Sequence, residues 1–147
     1  LEGLLHEDEE ITPRMLFKAT RVKLVNTYEY IYRQREASIM TAIPPIHHIK
    51  SILFTIDKLS MEFISDNNPK NRIVYSALIN HLAECCIGKI IICNEKNKQQ
   101  LLRQLSSRRL RKILMYNPNF NFKNNLKYIM LKIIPALYIL KLKLKLK

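Results

Sequence analysis

Residues 46–65 read IHHIKSILFTIDKLSMEFIS, and this stretch decides the fold class. It contains no glycine or proline and directly follows Pro44-Pro45, which mark a boundary. Its apolar residues recur at three- and four-residue steps, with one longer gap, at Ile46, Ile49, Leu53, Ile56 and Phe63. Such spacing is typical of a helix that buries one side. The stretch therefore predicts a long helix whose apolar stripe is covered by other elements.

The segments after residue 65 predict two more long helices. Asp66-Asn67-Asn68-Pro69 is a turn signal, and a helix is expected over about residues 70–93, with a break at 94–97. Another helix is expected over about 98–116, and Asn117-Pro118-Asn119 forms the next turn. The residues expected to be buried are Val74, Leu78, Cys85 and Ile92 in the first helix and Leu102, Leu105 and Ile113 in the second.

Residues 119–147 predict a basic amphipathic tail helix. Plotted at about 100° per residue, one arc holds Leu126, Ile129, Met130, Ile133, Leu137, Leu140 and Leu144, with lysines on both borders. Lys127 and Lys132 interrupt the apolar run, so the segment suits a membrane surface better than a membrane span. A helix docked on the protein with an exposed basic back is the alternative. Residues 140–147 alternate with period two, so the end of the chain need not be helical.

The residues before 44 predict a short helix followed by a β-hairpin. Thr12 is a good N-cap and Pro13 suits the first helical position, so a helix is expected from there to about Thr20. Residues 21–26 alternate apolar and polar side chains, and residues 28–33 place a tyrosine at every second position. The fold class is therefore expected to be α+β, mostly α, with this helix and hairpin followed by a bundle of about four helices.

The positive charge is concentrated in the last third of the chain. Of the 147 residues, 1–93 carry 11 Lys+Arg and 11 Asp+Glu, whereas 94–147 carry 14 Lys+Arg and one acidic residue. This excess predicts an anionic partner, either phospholipid head groups or nucleic acid. The cluster Arg108, Arg109, Arg111 and Lys112 has no accompanying aromatic platform or recognition-helix motif, which disfavours nucleic acid.

Histidines and cysteines give little indication of a metal site. His47 and His48 would point about 100° apart on a helix and could not easily share one ion, so exposed or capping positions are expected. His81 is expected to be a packed core residue rather than a ligand. Cys85, Cys86 and Cys93 fall in one predicted helix without a CxxC pair, which predicts reduced core cysteines in a cytosolic protein.

Three short segments near the start of the chain carry a family resemblance. Residues 6–9 read His-Glu-Asp-Glu, residues 30–35 read Tyr-Ile-Tyr-Arg-Gln-Arg, and residues 38–40 read Ser-Ile-Met. In this order and spacing they resemble the second half of a bacterial family 2 glycosyltransferase with the GT-A fold, of the type that builds capsular or surface polysaccharide. The resemblance covers about residues 3–41 and is loose from there to the end. It implies inverting transfer of a sugar from a nucleotide-sugar donor to a saccharide or lipid-linked acceptor.

The resemblance also implies roles for individual residues. Asp8 would be the catalytic base, with His6, Glu7 and Glu9 beside it at the substrate. Arg33 and Arg35 would bind the donor diphosphate through forked hydrogen bonds, with Ser38 nearby, although a solvated strand end would also explain these arginines. A divalent metal, Mg or Mn, is expected for the complete enzyme, with its ligands in an Asp-x-Asp motif upstream of this chain.

These expectations divide the chain into three parts. Residues 1–43 would be the acceptor-side end of a GT-A domain, 44–118 a helical subdomain and 119–147 the tail helix. The chain is interpreted as a C-terminal fragment, inactive alone, in the cytoplasm and on the inner face of the plasma membrane. The alternative is a non-catalytic basic helical module that binds anionic membrane or RNA through residues 94–147. A nucleotide-binding alternation of strands and helices immediately upstream would decide for the enzyme.

Overall fold

A computed structural model describes residues 7–23, 25–27, 46–93, 96–136 and 139. Every regular element in these ranges is an α-helix. The helices are α1 (Glu7–Lys18), α2 (Ile46–Ser65), α3 (Pro69–Ile92), α4 (Lys98–Leu105), α5 (Arg108–Leu114) and α6 (Phe122–Ile133). The bundle is built on α2 and α3, which form the most extensive helix pair, while α4, α5 and α6 pack around them.

The prediction of an α+β fold is wrong, although the predicted helical bundle is present. Residues 21–23 and 25–27 contain no strand, and their side chains are exposed. An alternating pattern forms a strand only where a neighbouring strand accepts its backbone hydrogen bonds and a core covers its apolar side. Residues 28–33, the second half of the expected hairpin, lie outside the described residues.

The first helix begins earlier than its sequence signals indicate. α1 starts at Glu7, so Thr12 is not its N-cap and Pro13 lies inside the helix. Pro13 has no N–H to donate to the carbonyl of Glu9, which normally costs a helix about 3 kcal/mol. Pro13 is buried, however, so its packing offsets part of that cost. Asp8 consequently lies in the first turn of a helix rather than in a loop before it.

The turn between α2 and α3 confirms the sequence prediction and has well-defined caps. Asn68 is the N-cap of α3, and its side-chain oxygen accepts a hydrogen bond from Lys70 N at 3.0 Å, with Pro69 at the first helical position. The carboxylate of Asp66 accepts from Asn68 N at 2.7 Å and from Asn71 Nδ2 at 2.8 Å. These two hydrogen bonds, helped by the nearby charge of Arg72, lower the pKa of Asp66.

The buried side of α2 agrees with its predicted stripe, whereas that of α3 does not. Ile49, Ile56 and Phe63 are buried as expected, and Ile46 and Leu53 of the same stripe are half-buried. In α3, however, Val74 and Ile92 are exposed, and Leu78 and Cys85 are only half-buried. The buried residues of α3 are Tyr75, Ser76, Ile79, Leu82, Ala83, Cys86, Ile87, Ile90 and Ile91. Apolar residues occur all round α3, so the sequence contains no narrow stripe that would identify its inner face. α3 is also the one described helix long and apolar enough to cross a membrane, but 50% of that stretch is buried inside the bundle.

The predicted helix over residues 98–116 is divided into α4 and α5. Ser107 caps α5 by accepting from Leu110 N at 3.2 Å, and Ser106 is buried at the break. Leu102, Leu105 and Ile113 are buried, which confirms the predicted face. The fully buried Ser76 of α3 donates to the carbonyl of Ile113 at 2.8 Å, so α5 is joined to α3 by a buried polar contact as well as by packing.

The tail contains a shorter helix than predicted, and that helix is docked on the bundle. α6 ends at Ile133, and residues 137–138 and 140–147 lie outside the described residues. Tyr128 and Leu131 are fully buried, and α6 packs mainly on α4. The Tyr128 hydroxyl donates to Glu84 of α3 at 3.2 Å, and Lys127 forms an ion pair with the same carboxylate.

The buried thiol of Cys86 predicts a loss of stability at alkaline pH. Burial, and secondarily the neighbouring Cys85, raises the pKa of Cys86 from 9.0 to about 12. The unfolded chain loses this proton near pH 9 and the folded chain does not, so the free energy of unfolding should fall as the pH rises from about 9 to about 12. The expected slope is at most about 1.4 kcal/mol per pH unit.

Urea unfolding on both sides of pH ~9 checks this prediction. Cys86→Ala should lose less stability on alkalinisation than the wild type, whereas Cys85→Ala removes only the secondary cause of the shift and should retain most of the wild-type slope. Equal slopes for the wild type and Cys86→Ala would contradict the prediction.

Candidate functional site

Asp8, the predicted catalytic base, lies at a cavity between α1 and α3. This cavity has a volume of about 480 Å³ and is lined by Asp8, Thr12, Pro13, Leu16, Phe17, Val74, Leu78, His81 and Leu82. Asp8 and His81 are the titratable residues of this described lining, and both are exposed. The rest of the wall is almost entirely apolar. The cavity therefore combines a carboxylate and an imidazole at its rim with an apolar interior.

Two contacts hold α1 against the bundle and so position Asp8. The ring of Phe17 stacks on Tyr75 of α3 with their centroids 4.5 Å apart, and Arg14 Nε lies 3.6 Å from Glu62 Oε1 of α2. Burial raises the pKa of Tyr75, and the neighbouring charge of Glu62 acts in the same direction. The ion pair is substantially exposed and contributes little energy, so the aromatic contact is the stronger restraint on α1.

His81 occupies a different environment from the one predicted. It is exposed at the cavity rim rather than packed in the core, because α3 turns its opposite face inward. Its Nε2 lies 3.7 Å from the Sγ of Cys85, one helical turn away. The sequence contained no signal for this position, since it depends on the orientation of α3.

His6, Arg33, Arg35 and Ser38 lie outside the described residues, as do the side chains of Glu7 and Glu9. The expected gathering of Asp8 with the two arginines therefore stays a prediction.

No metal centre is present among the residues that the structure describes. Those residues contain no group of three or more His, Cys, Asp or Glu side chains able to hold an ion. His47 and His48 lie edge to face with their ring centroids 4.8 Å apart. His47 is exposed as expected, whereas His48 is buried, which corrects its predicted exposed or capping position. The described side chains therefore do not fit a divalent metal site.

A cationic groove, which the sequence did not indicate, lies between the end of α2, the start of α3 and α5. It has a volume of about 640 Å³ and is lined by Phe63, Ile64, Arg72, Arg108, Arg109, Lys112, Ile113 and Tyr116. Four of these residues are cations, and none of this lining is acidic. The basic cluster of α5 was visible in the sequence, but its association with Arg72 and two aromatic rings was not. Arg72 and the basic cluster of α5 are more than 30 positions apart in the sequence, and they meet through the packing of α3 on α5.

Arg72 is held in a defined position in this groove. Its Nε donates to the carbonyl of Asp66 at 2.7 Å, and its guanidinium carbon lies 5.3 Å from the ring centroid of Phe63 and 5.7 Å from that of Tyr116. The two rings meet edge to face with centroids 5.0 Å apart. Because the Nη groups of an arginine supply further donors, a guanidinium fixed in this way can still bind a phosphate oxygen.

The outer face of α6 is apolar and bordered by lysines. Phe122 is 81% exposed, Ile133 is 67% exposed, and Leu126 is exposed between them. Lys123 and Lys132 are also exposed on this helix. Ile129 and Met130, which were predicted to share the outer arc, are half-buried because α6 rests on the bundle through Tyr128 and Leu131.

Comparison with known proteins identifies no relative. No protein-family model matches the sequence, and neither a curated protein nor a solved structure matches it.

Proposed function

We propose that this chain is the acceptor-side and C-terminal part of a family 2 glycosyltransferase that acts in surface polysaccharide synthesis. The observation that carries the proposal is the ordered occurrence of His-Glu-Asp-Glu at 6–9, Tyr-Ile-Tyr-Arg-Gln-Arg at 30–35 and Ser-Ile-Met at 38–40. The surroundings of Asp8 support it. An exposed carboxylate lies at the rim of a cavity of about 480 Å³, which is within the size range of small-ligand pockets.

In this proposal Asp8 is the general base. The acceptor hydroxyl binds at the cavity mouth and loses its proton to the carboxylate of Asp8 as its oxygen attacks the anomeric carbon of the donor sugar. A single in-line displacement then breaks the bond between the anomeric carbon and the nucleoside diphosphate, with inversion. Arg33 and Arg35 are the proposed partners of the departing diphosphate. A divalent metal would neutralise charge at that diphosphate in the complete enzyme.

Restoring the natural upstream sequence tests the proposal. The extended protein should release nucleoside diphosphate from one member of a panel of nucleotide sugars when a saccharide or lipid-linked saccharide is present, whereas residues 1–147 alone should not. An upstream sequence without an alternation of strands and helices and without an Asp-x-Asp pair would reject the proposal. So would an extended protein that consumes no donor.

The exposed face of α6 favours a second function, attachment to an anionic membrane surface. Apolar side chains at Phe122, Leu126 and Ile133 can enter the interface between head groups and acyl chains, while Lys123 and Lys132 reach lipid phosphates. Such attachment would bring a transferase to a lipid-linked acceptor. Membrane attachment is also what the alternative hypothesis predicts, in which the chain is a non-catalytic basic module that binds membrane.

Substitution on the outer face of α6 tests the membrane attachment. Phe122→Ser combined with Ile133→Ser should weaken binding to vesicles that contain phosphatidylglycerol by about tenfold or more, because two exposed apolar side chains no longer enter the interface. Ile11→Ser, at an exposed apolar position of α1, is the control and should bind normally. Deleting the whole tail is a poor test, since it removes the buried Tyr128 and Leu131. Binding of the double variant at wild-type strength, or binding to RNA in preference to vesicles, would refute the attachment.

A further inference from the structure

The cationic groove adjoins a set of exposed apolar side chains. Met61 and Ile64, one turn apart near the end of α2, are 56% and 52% exposed, and Met115 and Tyr116, directly after α5, are 60% and 47% exposed. Ile64 and Tyr116 also line the groove itself. A ligand in the groove would therefore meet cations on one part of its surface and aliphatic or aromatic side chains on another.

The cations of the groove lie on two walls, so that a compact anion can contact several of them at once. Arg108 and Lys112 are four residues apart, and Arg109 and Lys112 three apart, so these side chains share one side of α5. Arg72 reaches the groove from α3, on a different wall. Like charges at such spacings repel one another, and an anion between them would remove that repulsion.

Asp57 of α2 shares a separate pocket with Arg109, and two further acidic side chains near the end of α2 make other contacts. Glu62 pairs with Arg14 of α1, and the carboxylate of Asp66 accepts hydrogen bonds from Asn68 and Asn71 in the α2–α3 turn. Neither residue belongs to the lining of the groove. The described lining of the groove therefore holds four cations and no carboxylate.

We propose that this groove binds the phosphate group of an anionic lipid at a membrane surface. The inference deepens the membrane attachment proposed above and rests on it. The guanidinium groups of Arg72, Arg108 and Arg109 and the ammonium of Lys112 bind the phosphate oxygens, and the exposed side chains of α2 and of the segment after α5 contact the apolar part of the lipid.

Single-stranded RNA fits the groove less well. Proteins that bind RNA strands present aromatic rings on which successive bases stack. Here the rings of Phe63 and Tyr116 face each other edge to face and contact Arg72, and the other exposed apolar residues at the groove are aliphatic. Aliphatic side chains beside cations are typical of surfaces that lie in the lipid interface.

Vesicle binding by charge-matched variants tests the proposal. The full chain is sedimented with phosphatidylcholine vesicles that contain phosphatidic acid, with urea unfolding as a check on folding. Arg108→Gln combined with Lys112→Gln should weaken binding by about 10- to 30-fold, since two contacts to phosphate are lost. The matched control is Lys96→Gln combined with Arg103→Gln, which removes two exposed cations outside the groove. It should weaken binding by less than about threefold at moderate salt.

Three other results of these binding measurements would overturn the groove proposal. Equal losses for the two double variants would mean that general positive charge, and not the groove, attracts the vesicle, and the groove proposal would be overturned while the membrane attachment stood. If the wild type binds vesicles and the α6 double variant does not, whereas the groove variant binds normally, α6 is the attachment site and the groove proposal again fails. Groove-dependent binding of poly(U) RNA or inorganic pyrophosphate without binding of vesicles would refute both proposals.

Discussion

If the proposed glycosyltransferase function holds, Asp8→Asn is expected to lower kcat by about 10²- to 10⁴-fold in the protein with its upstream sequence restored. The asparagine amide has nearly the same shape as the carboxylate but cannot accept a proton from the acceptor hydroxyl. Because the side chain is exposed in the first turn of α1, the substitution should leave the fold intact. The measurement is the rate of donor-dependent transfer to acceptor at saturating substrates.

Asp57→Asn provides the matched control for this prediction. Asp57 is an exposed aspartate of α2 that does not line the cavity between α1 and α3, so its removal should change kcat by less than about twofold. A loss confined to KM for Asp8→Asn would indicate a role in binding rather than in proton transfer. Transfer at close to the wild-type rate would show that Asp8 is not the base.

Tyr128→Ala is expected to destabilise the folded chain by about 3–5 kcal/mol. Tyr128 is the largest fully buried side chain of α6, its ring lies 6.0 Å from that of Phe120, and its hydroxyl donates to Glu84. The substitution leaves a cavity between α6 and the bundle and removes a hydrogen bond to a charged group. Since domains of this size are stable by about 5–15 kcal/mol, a large part of the folding free energy should be lost. Chemical denaturation monitored by circular dichroism provides the measurement.

Two further variants separate the contribution of the buried Tyr128 ring to stability from that of its hydroxyl hydrogen bond. Tyr128→Phe retains the ring and should lose only about 1–2 kcal/mol, the usual worth of a hydrogen bond to a charged group. Phe122→Ala removes an exposed aromatic ring from the same helix and should change stability by less than about 0.5 kcal/mol. If Tyr128→Ala were no more destabilising than Phe122→Ala, α6 would not be docked on the bundle in solution.

Asp8 and the cationic groove differ in how much of each could be predicted from the sequence. The proposal of Asp8 as a base rests on a local motif and needed no knowledge of the fold, and it stays a prediction. The cationic groove did not follow, because Arg72 and the α5 cluster are distant in sequence and a basic run by itself describes only a charged helix face. The aromatic residues that accompany the cluster come from the end of α2 and the segment after α5, so they could not be associated with it before the helices were packed.

The sequence by itself determined those features that depend on neighbouring residues. The bounds of α2, the capped turn at residues 66–69 and the concentration of positive charge after residue 93 all follow from local spacing, turn chemistry and composition. Tertiary structure decided which side of α3 is buried, because that helix is apolar all round and only the position of its neighbours selects a face. Packing likewise decided that α1 continues through Pro13 and that α6 docks through Tyr128 and Leu131. In each of these cases burial against distant residues contributes more free energy than the local preference that sequence patterns report.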